Sequence, residues 1–94
     1  MLISHAMEDG VLHVALLRDL DVSSRAAAFL ETEALLLAHR PRLVRIQIPT
    51  ADPSPASLSA LTRARRLCEA LGIPLTVVGP VRTAADRPPH PTAA

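Results

Sequence analysis

Residues 41–80, PRLVRIQIPTADPSPASLSALTRARRLCEALGIPLTVVGP, decide the fold of this chain. The stretch opens with aliphatic residues 43–48, which predict a strand, and passes through a Ser/Pro-rich turn at 52–57 into an amphipathic helix. A second aliphatic strand at 75–78 is closed by Gly79-Pro80. This order predicts two parallel, neighbouring strands joined by a right-handed helical crossover.

The crossover helix is predicted from about residue 55 to residue 71. Ser54 and Pro55 suit its start, because a serine hydroxyl can accept an amide hydrogen and proline has no N–H to leave unpaired. Gly72 suits a left-handed helix end. A stripe at helical spacing predicts the buried side, consisting of Leu58, Leu61, Ala64, Cys68 and Leu71. The opposite, solvated side carries Ser59, Thr62, Arg63 and Arg66.

Two strands are predicted before this stretch. Residues 2–6 suit a short strand at the sheet edge, and Glu8-Asp9-Gly10 has the composition of a tight turn. Residues 11–17 alternate, with both faces largely apolar. Such a pattern is typical of a central strand that is covered on both sides.

A helix is predicted next, from the Asp/Ser cluster to about His39, with Pro41 ending it. Asp21, Ser23 or Ser24 can cap its start. The predicted core stripe consists of Leu30, Ala34 and Leu37, with Phe29 and Leu36 beside it. Alternating strands and helices predict an α/β domain with a mainly parallel sheet of four to five strands and helical crossovers.

Composition limits the functional classes. Ninety-four residues make one small domain, predicted at 1–81, and the Pro/Ala-rich residues 82–94 are predicted to be a disordered tail. A net charge of +1 and a single aromatic residue, Phe29, argue against nucleic-acid binding. The apolar runs are too short to span a bilayer. A single cysteine and the lack of a secretory signal favour the cytoplasm.

The motifs, taken in order, resemble the STAS domain, named for sulphate transporters and anti-sigma factor antagonists. The resemblance covers about four-fifths of the chain and rests on the order and spacing of five segments. These are Gly10 with its aliphatic strand, Leu17-Arg18-Asp19-Leu20-Asp21, Pro41-Arg42-Leu43-Val44, the Arg-rich helix ending in Ala70-Leu71-Gly72, and the closing strand with Gly79-Pro80. The resemblance implies a small STAS-like α/β fold.

This chain departs from the family pattern at the family's phosphorylation signature, Asp-Ser-Ser/Thr-Gly. The positions that align with it are Ser54-Pro55-Ala56-Ser57. Gln47 replaces a common upstream aspartate, Arg18 replaces a glycine, and the C-terminal helix is shortened to residues 81–86 at most. The usual phosphorylated serine is therefore missing, and Ser54 and Ser57 remain as possible displaced phosphoacceptors.

The resemblance implies a non-catalytic protein-interaction module that binds an anti-sigma factor or a kinase-like partner without the usual serine switch. Two alternatives are an accessory STAS subunit of a transport ATPase and a sensor of a small anionic ligand or nucleotide. A homodimer is also expected, because a shortened C-terminal helix would leave apolar surface uncovered. The predicted partner-binding residues are Asp21, Ser54, Pro55, Ala56, Ser57, Leu58, Arg63 and Arg66.

Other chemistry-bearing residues give weaker signals. The four histidines have no metal-ligand spacing with one another or with Cys68, which is predicted to be an inert core residue. Asp19, Asp21 and Asp52 could suggest acid/base chemistry, but no catalytic motif surrounds them. We therefore expect no enzyme activity, no cofactor and no metal.

Overall fold

The computed structural model describes residues 2–80, which form four strands and two helices. In chain order these are β1 (Ile3–Glu8), β2 (Val11–Leu16), α1 (Arg25–His39), β3 (Leu43–Gln47), α2 (Pro55–Leu71) and β4 (Leu75–Val78). The strands lie in the sheet in the same order, β1-β2-β3-β4. The fold is thus a small α/β domain, and residues 82–94, the predicted tail, lie outside the described residues, as does the shortened helix predicted at 81–86.

An antiparallel hairpin opens the fold. β1 pairs with β2 from Ile3↔Leu16 to Glu8↔Val11, so the predicted edge strand runs two residues further than expected. Asp9 and Gly10 both have positive φ, 52° and 79°, which is the backbone of a tight two-residue hairpin turn. The Arg42 guanidinium donates to the Asp9 carbonyl at 2.9 Å and holds this turn against the start of β3.

The remaining strands are parallel. β2 pairs with β3, and β3 pairs with β4, so the sheet is mixed, with one antiparallel and two parallel pairings. The predicted parallel pairing of the strands on either side of α2 is present, and α2 is their crossover. The carboxyl ends of β2, β3 and β4 therefore meet at one edge of the sheet.

Within residues 2–80, only one face of the sheet is covered. Leu12, Val14 and Leu16 of β2 are buried, whereas Val11 and His13, which alternate with them, are half-buried. The prediction that β2 is covered on both sides is therefore wrong. The reason is that both helices pack on the same face and meet each other above β2 and β3.

Helix α1 turns a different side to the core from the predicted one. Its buried residues are Ala28, Phe29, Thr32 and Leu36. The predicted stripe of Leu30, Ala34 and Leu37 is exposed. Thr32 can occupy the core because its hydroxyl donates to the Ala28 carbonyl at 2.9 Å and is thereby satisfied within the helix. Because apolar residues occur on every side of α1, periodicity alone does not identify its inner face.

Helix α2 begins and ends where the sequence predicts. Ser54 is the N-cap and Pro55 the first residue, and Gly72 ends the helix with a φ of 73°. Its inner face is built mainly from small side chains, Ala56, Ser57, Ala60, Ala64 and Cys68, which let the helix pack closely against α1. Of the predicted buried stripe, Leu61 and Leu71 are half-buried and Leu58 is exposed.

No helix within residues 2–80 has the length and apolar character needed to cross a membrane.

Candidate functional site

Two loops meet at the carboxyl edge of the parallel strands, where α/β proteins commonly bind their ligands and partners. Residues 17–24 follow β2, and residues 48–54 follow β3 and lead into α2. Hydrogen bonds of three residues connect the two loops: Asp19, Ser54 and Ser57. We call these three residues the loop lock.

Ser57 lies at the centre of the loop lock. Only 1% of its surface is exposed, and its hydroxyl donates to Asp19 Oδ1 at 2.6 Å. The Ser57 Oγ also accepts the backbone N–H of Leu20 at 2.9 Å. Leu20 is itself buried, so this hydroxyl satisfies an amide that has no access to water. The first turn of α2 is thereby attached to the loop after β2.

Ser54 combines helix capping with a second link between the loops. Its Oγ accepts the Ser57 N–H at 3.1 Å, as an N-cap residue does, and donates to the Leu20 carbonyl at 2.6 Å. The backbone N–H of Ser54 donates to Asp19 Oδ1 at 3.1 Å. The hydroxyls of Ser54 and Ser57 are therefore both hydrogen-bonded within the protein.

Asp19 places a carboxylate at the N-terminus of α2. The Ser57 hydroxyl, followed by the Ser54 backbone N–H, lowers the pKa of this carboxyl below its ordinary value of 3.8. A negative group at this end of a helix also interacts favourably with the helix dipole. The protein thus supplies its own anion at the position where an external phosphate or carboxylate would otherwise bind.

Asp21 is turned away from the loop lock. Its Oδ1 accepts from the hydroxyls of Ser23 and Ser24 and from the Ser24 backbone N–H, at 2.8 to 2.9 Å. These bonds, the one from the Ser23 hydroxyl first, lower the pKa of Asp21. The Ser24 N-cap makes no side-chain bond to α1, so Asp21 shapes the turn before the helix. Asp21 is also exposed, and its role in partner binding stays a prediction.

The other predicted site residues divide by exposure. Ala56 is buried in the core, and Pro55 is exposed at the helix start. Leu58 is 51% exposed, one residue after Ser57. Arg63 and Arg66 are exposed as well, but the Arg63 guanidinium carbon lies 4.3 Å from the centre of the Phe29 ring. That cation–π contact ties Arg63 to α1.

Sequence reasoning missed two members of this edge. Val22 is 76% exposed, the largest fraction among the exposed large apolar side chains, and it lies two residues after the Leu20 backbone held by the loop lock. Asp19 was noted only as a possible acid or base, whereas it organises the loop lock. The available signal in the sequence was Asp19 directly before the apolar Leu20, together with the Ser54-Pro55 start of α2.

The residues that the structure describes hold no metal-ligating cluster, and their buried polar side-chain atoms are hydrogen-bonded. His, Cys, Asp and Glu form no group of three placed to hold a metal within residues 2–80. Among the same residues, no buried side-chain nitrogen or oxygen lacks a hydrogen-bond partner. Cys68 is buried as predicted, and burial raises the pKa of its thiol, which leaves it in the unreactive protonated form. The carboxyl edge of the sheet therefore presents a surface whose two loops are joined by the hydrogen bonds of the loop lock.

Neither the protein-family models nor the curated protein sequences contain a match to this chain.

Proposed function

We propose that this chain is a non-catalytic, STAS-like protein-interaction module that binds an anti-sigma factor or a kinase-like regulatory protein. The observation that carries the proposal is the loop lock, which holds exposed apolar side chains at the carboxyl edge of the sheet. Exposed leucine and valine side chains on a rigid frame are a favourable binding surface, because little conformational entropy is lost when a partner covers them.

The proposed partner-binding surface combines the loop after β2 with the outer side of α2. Leu58 and Val22 supply apolar contact, and Arg66 adds a positive charge for an acidic partner. The second predicted arginine, Arg63, would contribute through the part of its guanidinium that does not cover Phe29.

Binding is proposed to be constitutive with respect to phosphate. Ser57 is buried, so a kinase could reach its hydroxyl only after the first turn of α2 had opened. A phosphate on either Ser54 or Ser57 would also lie beside the Asp19 carboxylate, and like charges at that distance repel. The same carboxylate argues against the alternative of an anionic-ligand sensor at this helix end.

The test uses the full chain with candidate anti-sigma and kinase-like proteins from the same genome. We expect a stable complex by size exclusion, and intact-mass spectrometry after incubation with ATP should show no added phosphate. Leu58→Asp should weaken the complex at least about tenfold while leaving the fold intact, because the side chain is half in water. Thr76→Asp, on the uncovered face of the sheet, is the matched control.

Two results would contradict the proposal. A gain of one phosphate, mapped to Ser54 or Ser57, would show that the switch has survived in displaced form. Equal binding by the wild type, Leu58→Asp and the Thr76→Asp control would show that the partner-binding surface lies elsewhere.

A further inference from the structure

Helix α1 is apolar on the side that faces solvent as well as on the side that faces the core. Its outward residues include Ala27, Leu30, Ala34 and Leu37, and the leucines are 59% and 48% exposed. These four positions follow a 3-4-3 spacing, which forms a continuous stripe along one side of a helix. We call it the α1 stripe. A continuous exposed apolar stripe of this kind commonly marks a contact surface.

The neighbouring outer side of α2 has the opposite charge character. α1 carries two glutamates, Glu31 and Glu33, and one arginine at its first residue. α2 carries three arginines, at 63, 65 and 66, and one glutamate. Both helices connect parallel strands and pack side by side, so they run in the same direction in one layer. Glu31 is exposed, Glu33 is half-buried, and the three arginines are exposed. The outer face of this layer is therefore apolar with acidic side chains on one half, and basic on the other.

We infer that a second copy of this chain covers the helix layer, with α1 of each copy lying on α2 of the other. A two-fold axis parallel to the helices produces this arrangement, and it brings both halves into contact at once, as a closed dimer requires. Each acidic half then faces a basic half. Packing α1 on α1 would instead bring the glutamates of the two copies together near the axis, which is unfavourable.

The size of the layer supports this occupant. Seventeen residues of α2 span about 25 Å, and two packed helices make a layer about 20 Å wide. The projected area of such a face is about 500 Å², below the roughly 800 Å² that each partner contributes to a standard interface, which suits a weak dimer. The α1 stripe alone would provide about half of this area. The complete layer is thus matched to a reversible dimer.

The dimer has a consequence for the site at the carboxyl edge. Leu58 and Arg66 lie on the outer side of α2, so a second copy would cover part of the proposed partner-binding surface. The dimer and the partner complex should then exclude each other. This competition rests on the proposed function, whereas the dimer itself does not.

The test is sedimentation velocity of the full chain, without partners, from about 1 to about 500 µM. We expect a concentration-dependent shift from monomer to dimer. Leu30→Arg should raise the dissociation constant about a hundredfold, because it places a positive charge against the basic half of the second copy. Thr76→Arg, on the uncovered sheet face, should leave the dissociation constant unchanged. Circular dichroism checks that both variants are folded.

A charge-reversal pair tests the arrangement of the helices. One variant carries Glu31→Lys and Glu33→Lys, and the other carries Arg65→Glu and Arg66→Glu. Each alone should dimerise at least about tenfold more weakly, and an equimolar mixture should form a heterodimer with close to wild-type affinity, since every contact again joins opposite charges. A wild-type chain that remains monomeric at about 500 µM would overturn the dimer. Reversal variants that dimerise as the wild type does would overturn the α1-on-α2 packing.

Discussion

Replacement of Ser57 by alanine tests the loop lock most directly. The Ser57 hydroxyl satisfies the backbone N–H of Leu20, and Leu20 is only 2% exposed. The alanine variant leaves that amide without a partner in a place that water does not reach. An unsatisfied buried amide costs about 1–3 kcal/mol. The bond to the exposed Asp19 carboxylate is lost as well, which adds to the effect in the same direction.

A loss of about 2 kcal/mol should lower the melting temperature of a domain of this size by about 8–16 °C. Urea unfolding followed by circular dichroism gives the free energy of unfolding, and a thermal scan gives the melting temperature. The matched control is Ser59→Ala, a half-buried serine two residues along the same helix. Its effect should stay within about 0.5 kcal/mol.

The difference in free energy of unfolding between the two alanine variants shows whether the loop lock stabilises the fold. If Ser57→Ala and Ser59→Ala change the free energy of unfolding equally, the loop lock does not stabilise the fold. The case for a rigid partner-binding surface would then fail with it. A larger loss for Ser57→Ala with unchanged secondary structure would support the reasoning.

Two further predictions concern acid stability and the core. The pKa of Asp19 is lowered in the folded state, so its contribution to the free energy of unfolding is fully present above pH 3.8 and is lost as the pH falls through the folded value. Asp19→Asn should therefore lose less stability between about pH 5 and pH 3 than the wild type or the exposed control Asp52→Asn. Equal losses in urea titrations would contradict this prediction. Ala64→Asp should lower the free energy of unfolding by about 3 kcal/mol or more, because Ala64 of α2 is buried against α1 and the sheet. Leu61→Asp should lower it less, because Leu61 is half-buried. The opposite order in urea unfolding would refute the assigned inner face of α2.

The features that were predicted correctly from the sequence are determined by residues that lie close together in the chain. Ser54 and Pro55 begin α2, and Gly72 ends it, through backbone geometry within a few residues. The turn at Asp9-Gly10 likewise follows from the ability of these residues to adopt positive φ. Local chemistry of this kind acts in any context, so the bounds of α2 and the position of the hairpin could be derived from the residues alone.

The candidate site was predictable only in part. Sequence reasoning located the turn before α2 and the capping role of Ser54. It assigned Asp21 to the partner-binding surface and did not assign Asp19, although both belong to the same Asp-Leu-Asp segment. Which aspartate joins the loop lock depends on the path of the loop after β2, and that path is set by hydrogen bonds to residues more than thirty positions away.

The sequence by itself determined which segments are strands and helices, because that choice depends on periodicity, capping and turn chemistry over short spans. Only the tertiary structure decided which side of α1 is buried, since its apolar residues surround the helix and the packing of Phe29 and Leu36 selects one phase. It also decided that both helices lie on the same sheet face, so that residues 2–80 leave the other face uncovered, and it brought Asp19 to Ser57 across 38 residues of chain. These outcomes depend on contacts distant in sequence, which no local pattern encodes.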